Sequence, residues 1–129
     1  MDKAAPTTYS TPEAPKAIGP YSQAAAAGNL LFISGQLPID PKTGDFAPGG
    51  IAEHTHQCLQ NVSAIAQAAG TELGRAVKVC VYLTDMGNFE QVNSVYAQYF
   101  PQDPPARLAI QVGALPKNAD IEIEAVVSI

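Results

Sequence analysis

Two segments of helical period are all the helix this chain offers, and they must serve a much larger amount of strand. From about Ile51 to Ala69 the apolar positions Cys58, Leu59, Val62, Ile65, Ala66 and Ala69 follow helical spacing, and Gly70 stands where such a helix stops. A second apolar stripe, Phe89, Val92, Tyr96 and Tyr99, begins after Asn88, which with Gln91 has the spacing of a capping box; Pro101 closes it. The remaining patterned segments read as strand. Ser22–Ala27 and Leu30–Ser34 flank Gly28-Asn29, a dipeptide suited to a two-residue hairpin that needs a positive φ. Val77, Val79, Val81 and Leu83 alternate with Lys78, Cys80 and Tyr82, and two further strands lie around 107–112 and 121–129.

The order β-β-α-β-α-β-β predicts an α+β or α/β sandwich with a mixed sheet. Its two helices can cover one face of that sheet and not the other. Yet Leu30 to Ile33 and Ala125 to Val127 are unbroken apolar runs, as in strands buried on both faces. A second copy of the chain is the simplest cover, so a homo-oligomer is expected.

At 129 residues the chain is expected to be one domain, 1–129, with residues 1–13 partly flexible. Ile18-Gly19-Pro20-Tyr21 and Asp40-Pro41-Lys42-Thr43-Gly44-Asp45 read as turns. Seven basic residues are scattered against twelve acidic ones, a net charge of −5, which argues against nucleic acid as a partner. The first residues lack the apolar core of a secretory signal, and no stretch reaches the roughly 18 apolar residues of a membrane span. Cys58 and Cys80 fall inside apolar elements, as reduced, packed thiols do. A soluble, cytoplasmic protein is expected.

Arg107 is one of two arginines, placed after Pro104-Pro105 at the mouth of an apolar strand. A guanidinium there is either a rim charge paired with an acid or a bidentate holder of a ligand carboxylate. Small Ala106 and Ala109 leave room beside it. Glu122 and Glu124 share one side of the last strand; they are surface carboxylates if that side is wet, and candidate proton carriers if it lines an interface. Tyr21 and the trio Ser34-Gly35-Gln36 could orient a carboxylate or carbonyl. His54 and Cys58 share a helix face, but a zinc site needs three or four ligands and His56 points elsewhere, so no metal is expected.

These segments converge. Ala17-Ile18-Gly19-Pro20-Tyr21-Ser22-Gln23-Ala24, Ile33-Ser34-Gly35-Gln36-Leu37-Pro38, Pro105-Ala106-Arg107, Leu115-Pro116-Lys117 and Ile121-Glu122-Ile123-Glu124-Ala125 resemble, in order and spacing, the reactive intermediate deaminase A family, also called the YjgF/YER057c/UK114 family. The resemblance runs from about residue 14 to 129. It implies a chorismate-mutase-like α+β fold with two helices on one face of the sheet. It also implies a homotrimer with clefts between subunits, and cofactor-free hydrolysis of 2-imino acids or their enamines to 2-oxo acids and ammonia. Those intermediates leak from pyridoxal-phosphate-dependent serine and threonine dehydratases.

Carried across residue by residue, the resemblance makes Arg107 the clamp for the substrate carboxylate and Glu122, rather than Glu124, the residue that positions water. It adds Tyr21, Gly35 and Asn93 to the substrate-binding set, which Ser34 joins from the polar trio read above. Ala109 stands where many members carry a cysteine, which leaves arginine and water to do the chemistry. Two other readings compete: a non-catalytic module that binds 2-oxo acids or regulates another protein, and a ribonuclease or translation inhibitor. A passive anion binder gains nothing from a glutamate beside its ligand, and the acidic balance argues against the ribonuclease.

Overall fold

A computed structural model describes residues 5–129. Eight main elements follow one another: β1 (Thr7–Tyr9), β2 (Ala24–Ala27), β3 (Leu30–Gln36), α1 (Ile51–Ala68), β4 (Ala76–Leu83), α2 (Phe89–Tyr99), β5 (Ala106–Gln111) and β6 (Ile121–Ser128). The strands form one mixed sheet in the order β1-β2-β3-β6-β4-β5, in which only the β4–β5 pair is parallel. Residues 1–4 of the stretch expected to be flexible lie outside the described residues; β1, which pairs with β2, was not foreseen.

Local chemistry explains the boundaries. The hairpin between β2 and β3 takes its positive φ, 60°, at Gly28, the first of two loop residues, where a type II′ turn places glycine. Helix α1 ends as Gly70 turns to φ 84°; Gly70 N donates to Gln67 O at 3.0 Å and Thr71 N to Ala66 O at 3.1 Å. That pair of bonds is a Schellman motif, which satisfies two otherwise orphaned carbonyls. The expected capping box of α2 is absent: Asn88 makes no side-chain cap. Asp85 instead accepts from Gly87 N at 2.8 Å and caps a 3₁₀ turn, Met86–Asn88, that runs straight into α2.

Both helices contribute to a single core on one face of the sheet. Leu31, Ile33, Val79, Val81, Leu83, Ile121, Ile123, Ala125 and Val127 pack there with Cys58, Leu59, Val62, Ile65, Val92 and Tyr96. On the other face, one chain alone leaves apolar surface in water. Phe32 is 49% exposed between buried Leu31 and Ile33, and on β5 Leu108 and Ile110 are 40% and 38% exposed. The run Leu30 to Ile33 thus alternates within the single chain rather than being buried on both faces. No helix among the described residues is long and apolar enough to cross a membrane.

Candidate active site

Strand parity decides where each candidate side chain goes. In the β4–β5 register Arg107 lies beside Val79 and Ala109 beside Val81. Those valines are buried under the helices, so Arg107 and Ala109 face the helix side of the sheet. In the β4–β6 register Glu122 lies beside Tyr82 and Glu124 beside Cys80, on the opposite, uncovered side. Within one chain Arg107 and Glu122 therefore do not meet, because the sheet stands between them.

The helix-side cluster is built by α2. The Arg107 guanidinium carbon sits 5.3 Å from the ring centre of Phe89 and 4.9 Å from that of Tyr96. Its Nη1 donates to Asn93 Oδ1 at 2.6 Å. Phe89, Asn93 and Tyr96 fall at i, i+4 and i+7, so one face of a helix supplies two rings and an amide. The rings attract the cation, and the amide occupies one of its five N–H donors. Among the described residues no carboxylate pairs with Arg107, and β5 is an exposed edge strand, so the arginine is neither a rim ion pair nor a buried charge. It is a pre-oriented fork open to solvent. Phe89 and Tyr96 read as core stripe from the sequence; the available signal was their spacing around Asn93.

The second cluster lies where β3 ends and β6 begins. Tyr21, Ser34, Gly35, Glu122 and Glu124 line a cleft of about 700 Å³. Tyr21 follows a tight turn closed by its own N–H on Gly19 O at 2.8 Å, which presents the ring at 51% exposure. Ser34 is tied by its N–H to Gln23 O at 2.9 Å and by its hydroxyl, which donates to Ser22 O at 2.6 Å. Buried Gln23 carries no local signal in the sequence that would mark it as a site residue. Its amide donates to Thr11 O and Pro15 O and accepts from Thr11 N, pinning the segment that brings Pro15 and Lys16 to the cleft wall.

The two glutamates differ by their partners. Tyr82 Oη donates to Glu124 Oε1 at 2.5 Å, which anchors that carboxylate and pushes the phenol's pKa up. Half-burial, and then the charge of Glu124, hold the Glu122 carboxyl above the ordinary carboxylate range.

His54, His56 and Cys58 go to separate partners. His54 Nδ1 is bonded to Asp120 at 2.8 Å and Nε2 to Ala47 O at 3.0 Å, so it ties α1 to the start of β6 rather than lying free on the helix surface. His56 meets Tyr99 Oη at 3.0 Å. Cys58 is fully buried, which raises its thiol pKa well above the usual value, while Cys80 is partly exposed on the uncovered face.

The family model described as Endoribonuclease L-PSP matches residues 11–129. The chain belongs to that family. A protein of Bos taurus described as a 2-iminobutanoate/2-iminopropanoate deaminase is 50% identical over 91% of this chain and 85% of its own. A RutC family protein of Pyrococcus horikoshii is 56% identical over 90% of this chain and 92% of its own. Among solved structures, that of Escherichia coli TdcF with bound serine matches with a TM-score of 0.91 at 38% identity, covering 95% of this chain and 98% of that one. The relatedness read from the Ile18-Gly19-Pro20-Tyr21 and Pro105-Ala106-Arg107 segments therefore holds across the chain.

Proposed function

We propose that the protein is an imine deaminase that hydrolyses 2-iminobutanoate and 2-iminopropanoate, and that its active site is completed between copies of the chain in a homotrimer. The observation that carries this reading is the separation of two half-sites. Arg107 waits on one face with one donor held by Asn93 and the rest turned to solvent, and Glu122 waits in a cleft on the other. The uncovered apolar side of the sheet, with Phe32, Leu108 and Ile110, gives copies a reason to associate. Association sets the Arg107 edge of one copy against the cleft of the next. The bovine relative's description supplies the reaction, and serine bound to TdcF shows a small amino acid on a related fold.

In this site Arg107 receives the carboxylate of the imino acid bidentately, with Phe89, Tyr96 and Asn93 holding the guanidinium. Tyr21, Ser34 and the backbone at Gly35 border the bound molecule, and Ala109 leaves space beside the arginine. Glu122 takes a proton from water as the oxygen adds to the imine carbon. It passes that proton to nitrogen to give a carbinolamine, then takes the carbinolamine's hydroxyl proton and delivers it to the amine as the C–N bond breaks, so a 2-oxo acid and ammonia leave. No step calls for a cofactor, and the substrate is what serine and threonine dehydratases release. We read residues 1–129 as one domain working in the cytoplasm. The family model's endoribonuclease description fits less well, because two carboxylates in the cleft and a net charge of −5 oppose a polyphosphate.

The test is a dehydratase-coupled assay that follows ammonia release with and without the protein. Wild type accelerates release, and Arg107→Ala abolishes the acceleration while leaving the assembly size unchanged. Wild-type rates in that variant would sink the proposal.

A further inference from the structure

The ladder between β3 and β6 is interrupted at one point. Ile33 pairs with Ala125 and Gln36 with Ile123, so Ser34 and Gly35 together oppose the single residue Glu124. Two residues against one is a β-bulge, a device that re-aims side chains near it. Here it brings the Cα of Gly35 against the side chain of Glu122. A Cβ built on Gly35 would lie 2.8 Å from Glu122 Cδ, 2.9 Å from Oε1 and 3.1 Å from Cγ. Nothing in the backbone demands glycine at this position: Gly28, Gly44, Gly49 and Gly70 have positive φ, and Gly35 does not. The space is what demands it.

We infer that Gly35 is a positioning residue, and that the place where its side chain is missing seats the Glu122 carboxyl at a fixed position in the cleft. Any larger residue occupies that seat. The backbone need not give way, because the atoms in conflict are the far end of a flexible glutamate. The carboxyl swings off instead, away from the water it must deprotonate and toward bulk solvent. This role differs from a backbone contact between Gly35 and the ligand, whose loss would weaken substrate binding. The other titratable groups of the cleft are Glu124 on the same strand, Tyr21 and Lys16 on the preceding segment, and Lys117 before β6. Tyr82 on β4 bonds Glu124.

The inference rests on the reading of Glu122 as the base, and the experiment separates the two. Gly35→Ala, Glu122→Gln, Glu122→Ala and the double variants are compared in the full chain for thermal unfolding, assembly size, and kcat and KM with 2-iminopropanoate generated in situ. Displacing a base by about an ångström costs up to roughly 100-fold, so Gly35→Ala is expected to lower kcat about 10- to 100-fold with KM little changed. It should add no further loss to Glu122→Gln, and it should move the acid limb of the pH profile to lower pH as the carboxyl gains water. Forcing the glutamate off its rotamer lowers the Tm of Gly35→Ala by roughly 2–6 °C. In the Glu122→Ala background, where Cγ, Cδ and Oε1 are gone, the same change costs nothing. This comparison stands whether or not Glu122 is the base, and it stays readable if Gly35→Ala alone fails to fold. An equal Tm loss with and without the Glu122 side chain overturns the seat. So does a Gly35→Ala kcat equal to wild type while Glu122→Gln is impaired. Full activity in Glu122→Gln overturns the base itself and leaves the seat to be judged by the stability comparison alone.

Discussion

At the scale of single residues, the fold keeps Glu122 in a place that disfavours its charge. Burial is the first cause and the neighbouring Glu124 charge the second. A carboxyl whose folded pKa is raised binds more protons folded than unfolded over the interval between the two values, so stability falls as pH rises through it. Glu122→Gln is therefore expected to be more stable than wild type at neutral pH. The gain should vanish as pH drops below the unfolded value of about 4.3. Thermal unfolding at pH 4 and pH 7 reads this directly, and a variant no more stable at pH 7 than at pH 4 relative to wild type contradicts it. Lost activity with gained stability is the usual signature of a strained functional group. Arg107 was conspicuous in the sequence because a lone cation stood in an apolar strand. Its holders were not, since Phe89 and Tyr96 look like any core stripe until Asn93 and Arg107 are known to face them.

Elements with a strong period were legible. The 3.6-residue spacing of α1 and the alternation of β4 and β6 follow from which face each residue buries, and their ends fall within about two residues of expectation. The Gly70 stop is a bond pattern as well as a residue, and Gly70→Ala forces a Cβ into φ 84°. That substitution is expected to cost about 1–2 kcal/mol, read as a lower urea midpoint with an unchanged slope. An unchanged midpoint contradicts the assignment. Other features gave no local signal. The edge strand β1 is the sequence Thr-Thr-Tyr with no apolar alternation, and its strand character comes from its partner β2. The bulge at Ser34-Gly35 is set by the register of β6, which lies some ninety residues along the chain. His54 finds Asp120 66 residues away, so a helix-surface reading had no means to see the tie.

For the whole molecule, the count of helices against strands forecast an uncovered sheet face, and the exposed Phe32, Leu108 and Ile110 are that face. What the sequence could not convey is that Arg107 and Glu122 lie on opposite sides of one sheet, because parity across β5, β4 and β6 depends on register rather than on any one segment. In the proposed trimer a working site takes its arginine from one copy and its glutamate from another. Co-assembling Arg107→Ala with Glu122→Gln tests this sharing most directly. Each variant alone lacks one group in every site, whereas random co-assembly at equal amounts leaves both groups intact in about a quarter of shared sites. Imine hydrolysis, absent from either variant alone, is expected to return to about a quarter of the wild-type rate averaged over the whole co-assembled mixture. Mixed assemblies as inactive as their parents would contradict the sharing.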